Sequence, residues 1–456
     1  MRWAELAERR IAVLGFGAEG RAACRAFRAR FPEQALHLFC SADETASAVS
    51  LGDERLTIDS TPATVESLRA FEIVIKSPGV SPYRSPLPEA AAAGVHFTSG
   101  SAIWFAEHPQ ANTIAVTGTK GKSTTTALIA HLLRAGGHRT ALAGNIGLPL
   151  LDLPEDDRVA AWVFELSSFQ CHDFAGSARV ALITNLIEEH LDWHGSSAQY
   201  AIDKLKILGD PNTTIAVLNA CDSTVGSIRR PGRTDWYGRS DGWHVDEAGI
   251  SRGNRRYLSR SDLPLPGLHN ALNLSGALAA VEAAGFDACA LAVHARSFKP
   301  LPHRLQTLGE RDGISFVNDS IATTPQAALA ALSHFAGQDI ALILGGHERG
   351  LNWAAFAGAV AARPPRAIVT TGASGARIAA TLLAHGLADV VRSEPDFDSA
   401  FASARGALHG SGIVLLSPGA PSFGQFRDYS ERGRRFAELA GFDPHMIASI
   451  AGLGIA

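Results

Sequence analysis

Short apolar runs alternate with alanine-rich segments of helical periodicity along most of the chain. This alternation is typical of βαβ units, in which helices join parallel strands. The runs are rich in β-branched residues, and several end at Gly, Ser or Asn, where the ligand-binding loops of such sheets begin. We predict strands at IAVLGF, ALHLFC, EIVIKS, TIAVTG, WVFELS, VALITN, TIAVLN, ISFVND, IALILGG, AIVTTG and GIVLLS. One doubly wound sheet holds about five or six strands, so at least two sheets are required.

Residues 222–265 interrupt this alternation with two polar stretches, RRPGRTDWYGRSDGW and GISRGNRRYLSR. We expect hairpins there, and so a small antiparallel sheet attached to a middle domain. Domain boundaries are predicted after FTSGSAIWFAEHP and at SFKPLPHR. The length of 456 residues also exceeds what one hydrophobic core supports. We therefore predict an α/β protein of three domains, over residues 1–102, 103–299 and 300–456.

Composition narrows the class of protein and its compartment. Hydrophobic residues make up 46% and charged residues 19%, as in ordinary globular proteins, and the formal charge of -4 gives no support to a nucleic-acid partner. The chain shows no signal peptide and no apolar run near the roughly 20 residues of a membrane span. The cysteines have no CxxC spacing, which favours a reducing compartment over disulfides or zinc. We expect a cytoplasmic protein with buried cysteines at Cys24, Cys40, Cys171, Cys221 and Cys289.

The first predicted strand leads into a glycine-rich loop, VLGFGAEG. Its glycines have the G-x-G-x-x-G spacing that lets a pyrophosphate approach a helix N-terminus. Asp43 follows the second strand, where a ribose-binding acid would lie, and Ser77 follows a third strand. Glu19 fits a pyrophosphate site poorly, so the loop predicts a nucleotide but not necessarily NAD(P); a tight turn without ligand is the alternative. The glycines are Gly15, Gly17 and Gly20.

The segment IAVTGTKGKSTTTALIAHLL combines a strand, a glycine loop and a helix. Its backbone amides and Lys122 would hold the phosphates of ATP, and Ser123 or Thr124 would coordinate Mg²⁺. Thr117 stands where the full P-loop pattern has its first glycine. ATP use is favoured over a dehydrogenase, for which the sequence offers no hydride site. The predicted ATP-binding loop is Gly118, Thr119, Lys120, Gly121, Lys122, Ser123 and Thr124.

Ionisable residues follow two later strands. Glu165 ends a predicted strand, where a carboxylate near a P-loop would contact Mg²⁺ or its water. EEHLDWHG places His190 among acidic residues, and Lys204 lies on a helix beyond it. A lysine beside metal ions is disfavoured as a cation, and carbamylation would make it a carboxylate ligand. The alternatives are a solvated strand end, a solvated loop and a solvent-facing helix.

With these motifs the chain resembles the ATP-dependent Mur ligases, and most closely the group that joins glutamate to UDP-N-acetylmuramoyl-L-alanine. Several of the motifs also occur in the folylpolyglutamate synthetases, whereas ELSSFQ and SFGQFRDYSERG favour the muramyl enzymes. The matching segments are TGTKGKST, AGNIGLP, ELSSFQ, NLIEEHLDWHG, QYAIDKLKI, LPGLHNALN, LPHRLQ, NDSIATT and LSPGAPSFGQFRDYSERG.

The resemblance implies acyl phosphate chemistry in peptidoglycan precursor synthesis. ATP would phosphorylate the terminal carboxylate of UDP-N-acetylmuramoyl-L-alanine, and the amine of glutamate would displace phosphate. The implied architecture is a Rossmann-like UDP-binding domain, a central P-loop ATPase domain that carries the small antiparallel sheet, and a Rossmann-like amino-acid-binding domain. A monomer acting on small molecules is expected, with ATP and Mg²⁺ as cofactors and without a nucleic-acid or membrane partner.

The resemblance also assigns roles to individual residues. Lys122 would hold phosphate, and Lys204 matches a carbamylated lysine of the family. The implied metal residues are Ser123, Glu165, His190 and Lys204; the implied catalytic residues are Lys122, Glu165, His190 and Lys204. Further ATP contacts would be Asn270, Asn273, Arg304 and Asp319, with helix capping as the alternative for the asparagines and a surface salt bridge for Arg304. UDP-substrate contacts would be Gly15, Gly17, Gly20, Asp43, Ser77, Asn145 and Ser167.

The loop NDSIATT departs from the D-glutamate-adding group, which has a lysine in place of Ile321. This change removes a cation that would pair with a glutamate carboxylate, so the amino acid must be held differently. We favour L-glutamate as the substrate, with a separate epimerase acting afterwards. D-glutamate, another amino acid or dipeptide, and a non-catalytic nucleotide-binding scaffold are the alternatives. The predicted amino-acid-binding residues are Ile321, Thr323, Arg349, Ser422 and Tyr429.

Overall fold

The computed structural model describes residues 1–263, 265, 267–447, 450 and 452–456. Its contacts divide the chain into two compact units, Met1–Lys299 together with Gly452–Ala456, and Pro300–Ala451. The break after Lys299 falls within the predicted boundary segment SFKPLPHR. The predicted division near residue 102 stays a prediction, because both of its flanks belong to the first unit.

Helices connect most of the strands, as the alternating pattern predicts. The α-helices are α1 (Ala18–Arg30), α2 (Thr45–Val49), α3 (Val65–Arg69), α4 (Leu87–Ala92), α5 (Gly100–Glu107), α6 (Lys122–Ala135), α7 (Ser168–His172), α8 (Leu191–His194), α9 (Ser197–Leu205), α10 (Ser223–Gly226), α11 (Leu268–Ala283), α12 (Ala288–Leu291), α13 (Pro325–His334), α14 (Ala354–Ala361), α15 (Gly375–Ala384), α16 (Phe397–Gly406) and α17 (Tyr429–Leu439). Short 3-10 helices span Trp3–Glu5, Ala42–Glu44, Leu150–Asp152, Lys206–Leu208, Arg260–Asp262, Ala292–Ser297 and Pro444–Ile447.

The first unit begins with a five-stranded parallel sheet. Its strands are β1 (Ile11–Leu14), β2 (Leu36–Phe39), β3 (Leu56–Asp59), β4 (Ile73–Lys76) and β5 (His96–Thr98), in the order β3-β2-β1-β4-β5. The central strand β1 is buried along its whole length, because both faces of a parallel sheet are covered. Val13, which lies opposite Leu38 and Ile75, packs with them in the core.

A second parallel sheet follows in the same unit. Its strands are β6 (Thr113–Thr117), β7 (Thr140–Gly144), β8 (Ala161–Glu165), β9 (Val180–Ile183), β10 (Ile215–Asn219) and β11 (Thr234–Tyr237), in the order β11-β10-β9-β6-β8-β7. The carboxyl ends of β6, β8 and β9 therefore lie side by side, and the loops after them share one edge of the sheet. These are the loops that carry the predicted phosphate and metal residues.

The polar interruption contains the expected small antiparallel sheet. Its strands are β12 (Trp243–Asp246), β13 (Gly249–Arg252) and β14 (Arg255–Ser259). One part of the expectation is wrong: the stretch TDWY does not form a hairpin but β11, which pairs in parallel with β10. Tyr237 at the end of β11 is buried against the large sheet, and this burial outweighs the polar character of its neighbours.

The C-terminal unit contains one six-stranded sheet. Its strands are β15 (Gln306–Arg311), β16 (Ile314–Asn318), β17 (Ile340–Gly345), β18 (Ala367–Thr371), β19 (Val391–Ser393) and β20 (Gly412–Leu416), in the order β15-β16-β20-β17-β18-β19. Only β15 is antiparallel to its neighbour. Consecutive strand residues face opposite sides: Leu342 packs with Trp353, whereas Ile343 packs with Phe401 and Phe436.

The chain ends in a short strand, β21 (Gly454–Ile455), which adds antiparallel to β7 as the seventh strand of the second sheet. Thr140 and Ala456 exchange two backbone hydrogen bonds of 2.7 and 3.1 Å. Residues 452–456, which the predicted boundaries assign to the C-terminal domain, therefore belong to the first unit. Among the described residues, no helix combines the length and the apolar character needed to cross a membrane.

A buried arginine organises the C-terminal unit. Arg432 on α17 donates from Nη2 to the carbonyls of Ser320 and Ala420, at 2.8 and 3.0 Å, and from Nη1 to the Gly345 carbonyl at 3.4 Å. Its Nε donates to the Ser320 hydroxyl at 3.1 Å. Burial lowers its pKa to about 9. One guanidinium thus joins the ends of β16, β17 and β20, and with them the loops that carry the predicted amino-acid-binding residues.

Candidate active site

The P-loop follows β6 and is shaped by two glycines in the left-handed region. Gly118 has φ +145° and Gly121 has φ +83°. A Cβ atom at Gly118 would lie 1.9 Å from the Thr184 hydroxyl oxygen, and one at Gly121 would lie 2.5 Å from Oδ1 of Asn273. Only glycine fits at either place. The loop leads directly into α6, and the N-terminus of such a helix binds phosphate through its backbone amides.

Lys122 begins α6 and its Nζ donates to the Thr119 carbonyl at 2.8 Å. Ser123 is buried and Thr124 is half-buried in the next two positions. Lys120, two residues before Lys122 in the loop, forms an ion pair with Glu189. The structure therefore brings the P-loop together with the acidic segment after β9, as the parallel sheet order requires.

Helix α11 places Asn273 beside the P-loop and Asn270 beside Asn273. Asn273 lies against Gly121, and its Nδ2 donates to Oδ1 of Asn270 at 3.5 Å. The N-cap residue of α11 is Gly267, so neither asparagine caps this helix. The Asn273 amide thus lies against the glycine loop, and Asn270 is its hydrogen-bond partner.

Glu165 ends β8 as a buried carboxylate, only 1% exposed. Its Oε1 accepts a hydrogen bond of 2.7 Å from Nδ2 of Asn145. Its Oε2 is buried without a hydrogen-bond partner among the described residues. A buried carboxylate oxygen of this kind is costly unless a cation or donor meets it. Glu165 is therefore not a solvated strand end, and its unpaired oxygen fits a divalent cation.

The cation would need ligands beyond the protein. Within the described part of the chain, no group of three or more His, Cys, Asp or Glu is arranged to hold a metal ion. Mg²⁺ is commonly bound by one or two carboxylates together with substrate phosphates and waters. The donor set of Glu165 and Ser123 next to a phosphate loop is consistent with that mode of binding.

Lys204 lies on α9 and is 2% exposed, so it does not face solvent. Its Nζ donates to the Gly118 carbonyl at 2.7 Å and contacts the Thr117 hydroxyl at 3.4 Å. Burial, reinforced by the charge of Lys122, lowers the pKa of Lys204 to about 7. A neutral amine at this place is a nucleophile as well as a hydrogen-bond donor.

His190 is the predicted second metal ligand. Its side chain is 42% exposed and its ring lies 5.0 Å from that of Phe169. Its backbone is left-handed, with φ +56°, which is uncommon for a residue with a side chain. The desolvation of its ring lowers the pKa of His190, so the imidazole favours the neutral form that binds metals.

Asp203, which belongs to no predicted site, directly precedes Lys204 on α9. Asp203 is fully buried and accepts hydrogen bonds from the Tyr83 hydroxyl (2.8 Å), from Nδ1 of His172 (2.9 Å), from Nδ1 of His194 (2.7 Å) and from Nε2 of Gln199 (3.2 Å). Burial alone would raise its pKa, but these hydrogen bonds outweigh burial and lower it. An acid among helix residues gives no sequence signal, because its partners come from distant segments.

The predicted UDP loop follows β1. A Cβ atom at Gly20 would lie 2.0 Å from the Gly15 carbonyl oxygen, and the Ser77 hydroxyl donates to that oxygen at 2.9 Å. Gly20 and Ser77 therefore shape the turn itself. Gly17 is exposed, and nothing would lie within 4 Å of a Cβ atom there, so its backbone is open to a ligand. Asp43 is exposed in a 3-10 helix beyond β2.

Glu19, whose negative charge does not suit a pyrophosphate site, has a hydrogen-bond partner from a distant segment of the chain. Its Oε1 accepts a hydrogen bond of 2.9 Å from Nε2 of Gln170. Burial raises the pKa of Glu19 to about 7, so the carboxyl is protonated in a large part of the molecules at neutral pH. Gln170 lies on α7, whose N-cap is Ser167, another predicted substrate residue. The glycine loop is thereby connected to the ELSSFQ segment.

In the C-terminal unit, Asp319 follows β16 and is 8% exposed. It accepts hydrogen bonds from the Ser417 hydroxyl at 2.7 Å and from the backbone N–H of Leu305 at 3.1 Å. Burial raises its pKa to about 6, and the charge of Arg304 opposes this shift. Arg304 and Asp319 are thus brought close enough to interact.

Four of the predicted amino-acid-binding residues lie on the three loops that Arg432 joins, and the fifth, Tyr429, begins α17. Ile321 is half-buried, and its backbone N–H donates to the His303 carbonyl at 3.3 Å. The loops after β17 and β20 meet where the His347 N–H donates to the Pro421 carbonyl at 2.7 Å. Among the predicted residues themselves, Ser422 is buried, Thr323 and Tyr429 are half-buried, and Arg349 is exposed.

Comparison with known proteins agrees with this geometry. The family model described as "Mur ligase middle domain" matches residues 116–281, and that described as "Mur ligase, glutamate ligase domain" matches residues 303–420. A protein of Xanthomonas axonopodis pv. citri named UDP-N-acetylmuramoyl-L-alanine--L-glutamate ligase is 51% identical over 100% of both chains. A protein of the same name from Micromonospora sp. is 40% identical over 96% of this chain and 98% of its own.

Solved structures share the fold at low sequence identity. UDP-N-acetylmuramate-alanine ligase of Thermotoga maritima has a TM-score of 0.61 at 21% identity, covering 95% of this chain and 99% of its own. The Acinetobacter baumannii ligase MurF has a TM-score of 0.57 at 16% identity, covering 82% of this chain and 94% of its own. The predicted α/β fold of the Mur ligases is therefore confirmed. On its sequence and its fold, this chain belongs to the Mur ligase family.

Proposed function

We propose that this chain is an ATP-dependent ligase that joins L-glutamate to UDP-N-acetylmuramoyl-L-alanine, in the cytoplasmic synthesis of peptidoglycan precursors. The observation that carries the proposal is the pair of buried charged groups beside the P-loop, the unpaired carboxylate oxygen of Glu165 and the amine of Lys204. The names of full-length relatives at 51% and 40% identity supply the two substrates.

The reaction has two steps. A carboxylate oxygen of UDP-N-acetylmuramoyl-L-alanine attacks the γ-phosphorus of ATP, and ADP leaves. The amine of glutamate then attacks the acyl phosphate carbon, loses a proton, and expels inorganic phosphate as the amide bond forms. Both steps bring anions together, so their charge must be neutralised by cations and backbone amides.

The residues of the first unit are suited to that task. The P-loop amides and Lys122 would hold the β- and γ-phosphates, with Asn270 and Asn273 beside the loop. Mg²⁺, when bound, would neutralise phosphoryl charge and orient the phosphates. Glu165 would bind it together with Ser123 and His190, and Asn145 would keep the Glu165 carboxylate in place through its 2.7 Å hydrogen bond.

Carbamylation of Lys204 would complete this set. The neutral amine adds to the carbon of CO₂, a C–N bond forms, and one proton leaves to solvent. The product is a carboxylate in place of an amine whose pKa burial has already lowered to about 7. Its negative charge, close to Lys122 and the cation, would remove the cost of burying a second ammonium group.

We assign binding of the nucleotide-sugar to the turn that contains Gly17, whose backbone is open to a ligand. Asp43, Asn145 and Ser167 are the further predicted contacts of this substrate. In the C-terminal unit, Arg304 and Asp319 would contact ATP. Ile321 and Thr323 would line the amino-acid pocket, together with Arg349, Ser422 and Tyr429. Arg349 is exposed and can bind a carboxylate bidentately.

The chain would act as a monomer, and a product that contains L-glutamate would require a separate epimerase if the cell wall uses the D form. D-glutamate is the second candidate substrate. Arg349 and Ser422 could still bind it, although Ile321 replaces the lysine of the D-glutamate-adding group. A non-catalytic scaffold is disfavoured by the presence of Lys122 and by Glu165 and Lys204, whose burial next to a phosphate loop would otherwise only cost stability.

The first prediction concerns substrate dependence. Phosphate release should require ATP, UDP-N-acetylmuramoyl-L-alanine and glutamate together, because the acyl phosphate forms only on the first acceptor and turns over only with the second. A malachite-green assay with each component omitted in turn measures this. Release in the absence of the nucleotide-sugar, or none with all three components, would exclude the ligase reaction.

The second prediction concerns Lys204. Protein equilibrated with ¹³C-bicarbonate should give a carbamate carbon signal in its NMR spectrum, and Lys204→Arg should abolish it because a guanidinium does not react with CO₂. Lys299→Arg, which changes an exposed lysine outside the predicted site, is the control and should keep the signal. A wild-type spectrum without the signal, or one that survives Lys204→Arg, contradicts the assignment.

The third prediction concerns Ile321. Ile321→Lys restores a cation at the place where the D-glutamate-adding group has one, and should shift the ratio of kcat/KM toward D-glutamate by about tenfold, the equivalent of about 1.4 kcal/mol. Ile321→Met, which keeps size and neutrality, should leave the ratio unchanged. Equal ratios in the two variants would remove Ile321 as a specificity determinant.

A further inference from the structure

The loop after β4 is hydrogen-bonded to the segment that carries His190. Trp193 donates from Nε1 to the Gly79 carbonyl at 3.1 Å, and the Ser81 hydroxyl donates to the Trp193 carbonyl at 2.7 Å. Arg84 donates to the Asp192 carbonyl. We call Gly79–Arg84 the β4 loop and residues 188–195 the His190 segment. The β4 loop directly follows Ser77 and the turn assigned to the nucleotide-sugar.

Asp203 forms hydrogen bonds to both the β4 loop and the His190 segment. Its carboxylate binds Tyr83 of the β4 loop and His194 of the His190 segment, at 2.8 and 2.7 Å. It also binds His172 at the end of α7, at 2.9 Å. The side chains of Asp203 and His194 are both 0% exposed. Segments from three distant parts of the sequence therefore meet on one buried carboxylate.

The energetic weight of this carboxylate follows from its burial. Hydrogen bonds to a charged acceptor are stronger than neutral ones, and removing the acceptor leaves buried donors unsatisfied. If Asp203 lost its charge, its hydrogen bonds from Tyr83, His172 and His194 would weaken, and the donors on one of its two oxygens would lose their acceptor. The His194 side chain is fully buried in this structure, so we expect the His190 segment to become less rigid when that hydrogen bond is lost.

The position of the carboxylate connects it to the reaction. Asp203 is the residue before Lys204 on α9, and His194 follows His190 by one helical turn, with its backbone N–H bonded to the His190 carbonyl at 3.0 Å. His190 itself has the unfavourable φ of +56°, which persists only where neighbouring structure holds it. Asp203 supplies a fixed point for both predicted metal-binding groups.

We propose that Asp203 is a positioning residue that ties the β4 loop, the His190 segment and the start of the Lys204 side chain into one rigid arrangement, and so sets the affinity for the divalent cation. The proposal rests on the proposed ligase function for the identity of the cation site, but its structural part does not. Outer residues that orient metal ligands typically change metal affinity by 10- to 100-fold when they are altered.

Asp203→Asn tests the proposal, because the amide keeps the shape but loses the charge and one acceptor. In the protein without nucleotide or metal, hydrogen exchange followed by mass spectrometry should show the amides of Trp193 and His194 exchanging at least about tenfold faster. In the phosphate-release assay, the Mg²⁺ activation constant should rise by about tenfold or more, while KM for glutamate stays within about twofold.

Asp210→Asn is the matched control. Asp210 is an exposed acid of the same region whose carboxylate accepts hydrogen bonds from its own turn, from the Asn212 N–H at 2.9 Å and from the Asn212 side chain at 3.0 Å. It should change neither readout. Tyr83→Phe removes one hydroxyl from Asp203 and should act in the same direction as Asp203→Asn with a smaller effect, which keeps the test open if Asp203→Asn fails to fold.

Unchanged exchange and an unchanged Mg²⁺ constant in both Asp203→Asn and Tyr83→Phe would overturn the proposal, as would an equal rise in the Mg²⁺ constant and the KM for glutamate, which indicates general damage. A wild-type protein without substrate-dependent phosphate release, combined with faster exchange in Asp203→Asn, would reject the ligase function and keep Asp203 as the residue that fixes the His190 segment.

Discussion

The burial of charged groups at one edge of the second sheet is the constraint on which the site depends. Glu165 ends β8 with a carboxylate oxygen that has no hydrogen-bond partner in the described part of the chain, and Lys204 on α9 donates to the P-loop backbone. Neither group is surrounded by water, so each raises the free energy of the folded protein unless a ligand compensates it. Phosphates, a divalent cation and a carbamate would provide that compensation. The same burial that costs stability therefore creates the binding energy for the reacting groups.

In each unit, one buried charged side chain forms hydrogen bonds to several segments and so holds them together. In the first unit the ion is Asp203, an anion that collects side-chain donors from three segments. In the C-terminal unit it is Arg432, a cation that collects backbone carbonyls from three loops. Each replaces several weak loop contacts by charge-assisted hydrogen bonds.

Much of the framework could be predicted from the sequence, because strand runs and the P-loop are local signals. Each predicted run contains a strand, and Gly118, Gly121 and Lys122 lie where a phosphate loop requires them. The sequence of β11 resembles a polar hairpin, because its place in the large sheet depends on tertiary packing and not on a local apolar pattern. The partner of Glu19 and the role of Asp203 were beyond prediction for the same reason: Gln170, Tyr83 and His172 are remote in sequence and meet these acids only after folding.

The central claim is that this ligase site prefers L-glutamate because Ile321 stands where the D-glutamate-adding group has a lysine. The residues predicted to bind the nucleotides are retained. The most direct measurement is kcat/KM for L-glutamate and for D-glutamate, each supplied alone at saturating ATP, Mg²⁺ and UDP-N-acetylmuramoyl-L-alanine. We expect L-glutamate to be preferred by about 100-fold or more, which corresponds to about 2.7 kcal/mol of differential transition-state binding. A preference for D-glutamate, or equal values for the two, would contradict this account.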